Sequence, residues 1–124
     1  MKPICEVMVL EVLPGIRAIV ARKLVEKHGF SQKIAAERLG TTQPAISQYK
    51  RELRGHRIKM FKSNPRVLEM IDSLTKRTAS GELSQDQITL EFCGICKFMR
   101  SSGMVCEIHK KMYPSLENCR ICLD

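Results

Sequence analysis

Five of the six cysteines in this 124-residue chain fall between residues 93 and 122. That clustering limits what the chain can fold into more than any other feature. Cys93 and Cys96 form one C-x2-C pair, Cys106 stands alone nine residues on, and Cys119 and Cys122 form a second pair twelve residues beyond it. Two such pairs bring four thiolates together on short local loops, as a tetrahedral sulfur site requires. Disulfides fit poorly. Glu6 and Glu11 interrupt the apolar N-terminus before any signal-peptide core forms, so a cytoplasmic, reducing location is expected.

The expected ligands are therefore drawn from Cys93, Cys96, Cys106, Cys119 and Cys122. An iron-sulfur cluster, [4Fe-4S], takes four thiolates and favours apolar shielding, which Phe92, Ile95, Phe98, Ile121 and Leu123 offer. It also leaves a natural role for a fifth cysteine as an alternate ligand. Structural zinc is the alternative, satisfied by the two C-x2-C pairs alone. The spacing does not say which of the five is spare. His109 stands in C-x2-H register with Cys106, but a surface helical residue is its plainer reading. His28 and His56 read as surface residues, and His56 is within reach of phosphate. Cys5 reads as a small apolar core residue, with a redox or ligand role as the lesser reading.

Charge divides the chain in the same place as cysteine. Residues 1–62 hold 13 basic and 5 acidic side chains, whereas residues 63–124 hold 8 of each. All of the formal net charge of +8 thus lies in the first half. Lys50, Arg51, Arg54, Arg57, Lys59 and Lys62 crowd together with only Glu52 against them. Such a run either faces water or meets a polyanion, whose condensed counterions Lys and Arg displace. The expected organisation is a DNA-binding domain over residues 1–62 and a dimerisation and cysteine-cluster domain over residues 63–124.

Apolar periodicity makes the chain mainly α: a helix-turn-helix bundle followed by a small helical cysteine-rich metal-binding module. Residues 1–13 fit either a helix or a strand. Ile16, Val20 and Leu24 make one stripe of a helix from Pro14 to His28, closed by Gly29. Ser31 caps a second helix to Leu39, with Gly40 as its terminator. Thr42 caps a third, where Pro44 suits the first turn and Gly55 makes the stop.

Two short helices around a Gly-containing turn are the helix-turn-helix arrangement, whose second helix reads the major groove. Thr42, Gln43, Pro44, Ser47 and Gln48 would then face base edges, with adenine the favoured partner of glutamine. Lys50, Arg51 and Arg54 would meet phosphates, and Gln32 the opposite strand. A plain helical bundle with its polar residues in water is the competing reading.

Gln32, Ala36, Leu39, Gly40, Thr41, Thr42, Ile46 and Ser47 together resemble the Cro/repressor-like (XRE) helix-turn-helix pattern over roughly residues 14–55. Glutamine comes first, alanine four later, then leucine-glycine and a hydroxyl cap; Pro44 departs mildly. The resemblance implies sequence-specific binding of double-stranded DNA, usually as a homodimer on a palindromic operator. The whole chain also looks like small archaeal regulators that carry this domain ahead of a cysteine cluster.

Gly55 to Ser63 reads as a basic link. Asn64 and Pro65 open a helix bearing Val67, Leu68, Ile71 and Leu74, which is closed by Gly81. Such an apolar face has few partners in a two-module monomer, so it reads as core or as a dimer contact. Ser84 and Gln87 form a capping-box pattern ahead of Ile88, Phe92, Ile95 and Phe98. Ser101 to Gly103 make a turn, Val105 to Tyr113 a short helix, and Pro114 its end.

No apolar run reaches the roughly 18 residues of a membrane span. No Gly-rich phosphate loop and no Ser-His-Asp order point to an enzyme. The expected function is a transcription regulator whose cluster acts as a redox or iron sensor. A regulator with a static zinc site, or a cluster-bearing electron-transfer protein, is the alternative.

Overall fold

The structure, a computed structural model, describes residues 3–52 and 61–122. These residues are mainly α-helical, and no strand occurs among them. Residues 4–26 form one helical run in three parts. Helix α1 (Ile4–Val7) passes into a π-helical turn (Met8–Val12) and then into α2 (Leu13–Glu26). Pro14 lies in the first turn of α2. It has no N–H to return to a carbonyl one turn back, and the helix widens immediately before it. The ambiguity of this segment is thus settled as helix over residues 4–13, with Val7, Met8 and Val12 buried and Val9 and Leu10 exposed.

The remaining helices start and stop on local signals. Gly29 at φ 70° follows α2. Ser31 accepts from Ile34 N–H at 3.2 Å and opens α3 (Gln32–Leu39). Gly40 at φ 68° ends it in the left-handed region, where Thr41 N–H returns to the Ala36 carbonyl at 2.9 Å. Thr42 Oγ1 accepts from Ala45 N–H at 3.3 Å and leads into α4 (Gln43–Glu52). The expected stop at Gly55 lies outside the described residues.

Asn64 Oδ1 accepts from both Arg66 and Val67 N–H at the start of α5 (Pro65–Ala79). Both halves of the Ser84–Gln87 capping box are made at α6 (Gln85–Ser101). Gly103 at φ 84° separates α6 from α7 (Met104–Met112), and a 3-10 turn (Pro114–Leu116) follows.

The buried apolar residues form one cluster drawing on both halves of the chain, from Val7 and Ile16 to Ile71, Ile95 and Ile108. Helix α2 lies at its centre, packed on α3, α4 and α5. The apolar face of α5 therefore has partners within the chain. Val67, Ile71 and Leu74 are buried, and Lys23 of α2 pairs with Asp72 beside them. Arg77 joins α5 to α6 through Glu91 at 2.9 Å.

The segment read as a basic link also supplies a core residue, Phe61, which is fully buried. Its ring lies so close to Gly15 that a Cβ there would stand 2.4 Å from Phe61 Cε2. No helix of the described residues is long and apolar enough to cross a membrane.

Candidate nucleic-acid interface and thiol cluster

The two helices expected to form the helix-turn-helix pack on each other and on α2. Ile46 of α4 is fully buried. Thr42, Gln43, Pro44 and Gln48 are exposed, while Ser47 is half-buried. On a 3.6-residue helix, positions 43, 44, 47 and 48 share one side, opposite Ile46. Gln43 and Gln48 are thus exposed on the side away from Ile46.

Gln32 and Ser47 meet each other. Ser47 Oγ donates to Gln32 Oε1 at 2.9 Å and ties the start of α3 to the middle of α4. This bond uses neither the Gln32 amide N–H groups nor the acceptor capacity of Ser47 Oγ. Lys50 and Arg51 belong to α4, whereas Arg54 and His56 lie outside the described residues. Arg17, Lys33 and Arg38 are exposed on α2 and α3. His28 is exposed, and His109 is half-buried, edge-on to the Tyr113 ring at 5.7 Å.

The clustered cysteines are spread over three segments. Cys93 and Cys96 lie on α6, Cys106 on α7, and Cys119 and Cys122 in the segment after the 3-10 turn. Cys93 is exposed, and the other four are half-buried thiols. Cys5, expected in the core, is instead exposed on α1. The reason is the helix register: α1 packs on α7, and Val7 and Met8 take the buried positions.

Arg100, one turn beyond Cys96 on α6, stands among these thiols. Its Nη1 is 4.0 Å from Cys5 Sγ. A hydrogen bond with Cys122 holds its guanidinium above the usual arginine value; burial opposes this, and the charges of Cys122, Cys5 and Cys96 reinforce it. Arg100 Nε is buried without a hydrogen-bond partner among the described residues. Burial pushes the Cys96 thiol up, Arg100 pulls it back, and Cys5, Cys93 and Cys122 repel its charge. Cys106 is also raised by burial, then by Cys122 and Cys119, against Lys110.

No three His, Cys, Asp or Glu among the described residues form a group that could hold a metal ion. Thiols are soft-metal donors by their chemistry, and one cationic N–H donor, Arg100 Nη1, stands 4.0 Å from Cys5 Sγ. The apolar shielding is narrower than expected. Phe92 and Phe98 pack against the core, Ile95 is buried in it, Ile121 is 78% exposed, and Leu123 lies outside the described residues.

No family model matches the chain. No curated protein and no solved structure matches it either.

Sequence reasoning missed Arg100 and the placement of Cys5. No spacing rule relates Cys5 to a cluster that begins at residue 93. Arg100 carried a faint signal, since it follows Cys96 by one helical turn and shares its face.

Proposed function

We propose that this chain is a DNA-binding transcription regulator of the XRE-like helix-turn-helix kind, and that its cysteines hold a [4Fe-4S] cluster which senses redox state or iron. The observation that carries the reading is the pairing of α3 and α4. A left-handed Gly40 turn and the Ser47–Gln32 hydrogen bond fix the two helices, leaving Gln43 and Gln48 exposed on one side. The excess positive charge of residues 1–62 supports a polyanionic partner. In this reading a homodimer sets two α4 helices into successive major grooves of a palindromic operator, about 34 Å apart.

Thiols from α6, α7 and the C-terminal segment would hold the cluster, and Arg100 would offset its negative charge. When bound, the cluster supplies one-electron redox chemistry and a cross-link between segments. The unpartnered Nε–H of Arg100 suits a sulfur-rich anionic centre, whose thiolate or sulfide sulfurs accept hydrogen bonds.

The test is binding of the full chain to a pool of random duplexes, followed by sequencing of the retained fraction. Affinity is expected to fall steeply with salt and one sequence to be enriched. Gln43→Ala and Gln48→Ala should each relax preference by about 1–3 kcal/mol at one position. Recovery of no preferred sequence would overturn the reading.

A further inference from the structure

We propose that the cavity between α2 and α5 is a binding site for an amphipathic anion, a small molecule with an apolar body and one carboxylate head. The site goes beyond the regulatory reading above and is independent of it, since none of its lining residues is a cysteine or belongs to α3 or α4. The cavity measures about 510 Å³, within the roughly 300–1,000 Å³ of small-molecule sites. One wall is a single face of α2: positions 19, 22, 23, 26 and 27 recur at helical spacing and all line it. Leu68 of α5 and Lys62, just ahead of α5, form the other wall. Ile19 and Leu68 are half-buried and supply its apolar surface.

Charge decides which ligand fits. The lining sets Arg22, Lys23, Lys27 and Lys62 against Glu26 alone. Arg22 pairs with Glu26 at 3.0 Å, and Lys23 pairs with Asp72. Lys27 and Lys62 are exposed and have no ion-pair partner among the described residues. A helix C-terminus repels anions, but here its carbonyls are partly taken. The Lys23 carbonyl accepts from Lys27 and His28 N–H at 2.9 and 3.3 Å, and the Leu24 carbonyl accepts from Phe30 N–H at 3.0 Å.

Two uncompensated ammonium groups beside a sheltered apolar surface match a carboxylate on a hydrocarbon body. A bare inorganic anion would leave Ile19 and Leu68 unused. A neutral hydrocarbon would leave both charges unused. A nucleic-acid backbone offers charge without an apolar body to enter the cavity.

The experiment titrates the full chain, without DNA or metal, with decanoate below its micellar concentration. Decanol and inorganic phosphate are the parallel probes, and methyl resonances report the place of binding. Decanoate is expected to shift Ile19 and Leu68 and to leave Val9 and Leu10, the exposed apolar pair of the N-terminal run, unmoved. Decanol should bind more weakly by roughly three- to thirtyfold, the range for two partly exposed ion pairs. Phosphate should bind more weakly than decanoate as well.

The variant Lys27→Met with Lys62→Met keeps the side-chain stems and removes both charges, with helix content checked by circular dichroism. It should lose the preference for decanoate over decanol. Equal binding of decanoate and decanol to the unaltered chain would overturn the proposal. So would phosphate binding as tightly as decanoate, shifts confined to Val9 and Leu10, or no binding at all. A double variant that loses DNA affinity but keeps its preference for decanoate would assign the two lysines to a polyanion instead. Because no DNA or metal enters the titration, failure here leaves the regulatory reading standing, and failure of that reading leaves this site standing.

Discussion

Gln85 Nε2 donates to the carbonyl of Glu37 at 3.0 Å, so the helix that carries Cys93 and Cys96 begins by capping the last turn of α3. Gly40, the left-handed residue of the turn into α4, lies against the same glutamine; a Cβ there would be 3.2 Å from Gln85 Cδ. The thiol-bearing helix is thereby tied to the turn that sets the angle between α3 and α4.

Gln85→Ala removes that bond and leaves the Glu37 carbonyl to water, since the pair is exposed. The expected cost to stability is about 0.5–1.5 kcal/mol, read as a lower urea midpoint with an unchanged slope. The more telling result is a smaller response of DNA affinity to iron loading. A response equal to that of the unaltered chain would remove this bond from the coupling.

Gly15 tolerates no side chain while Phe61 stays where it is. Gly15→Ala should destabilise by about 1–3 kcal/mol through overpacking. Gly15→Ala combined with Phe61→Leu should recover part of that loss relative to Phe61→Leu alone. Strict additivity in the double-mutant cycle would mean that the two residues do not meet.

Ser47→Ala leaves Gln32 Oε1, a half-buried acceptor, without its donor. Stability should fall by about 1 kcal/mol. DNA affinity should fall for every sequence, because Gln32 is no longer held in place. A loss confined to one base position would instead mark Ser47 as a direct reader of sequence.

Arg100→Gln keeps an amide and removes the cation. Metal affinity should drop by about ten- to a hundredfold, as for loss of an outer-sphere partner. The reduction potential of an iron-loaded chain should move to more negative values, because an anionic centre loses its counter-charge. An unchanged potential would show that the guanidinium stands apart from the metal.

The helices and their caps were legible because each rests on residues within one or two turns. Ser31, Gly40, Asn64, Ser84 and Gln87 do locally what their side chains allow, and the apolar stripe of α2 needed only its own spacing. The thiol neighbourhood was half legible: the C-x2-C pair on α6 is local, but Cys5 joins it only because α1 folds back onto α7. Phe61 was hidden for a related reason. Its basic neighbours outweigh one aromatic ring in any reading of composition, while the space that receives it is made by Gly15 far upstream. Gln32 and Ser47 looked like two separate contacts to DNA, and only the packing of α3 on α4 makes them partners.

The most direct test is the affinity of the full chain for its selected duplex at one fixed salt concentration, measured on the same preparation before and after anaerobic loading with iron and sulfide. Coupling through Gln85 predicts at least about a fivefold difference between the two states, the lower end of ordinary allosteric coupling. Identical affinities, with the metal fully bound, would contradict it.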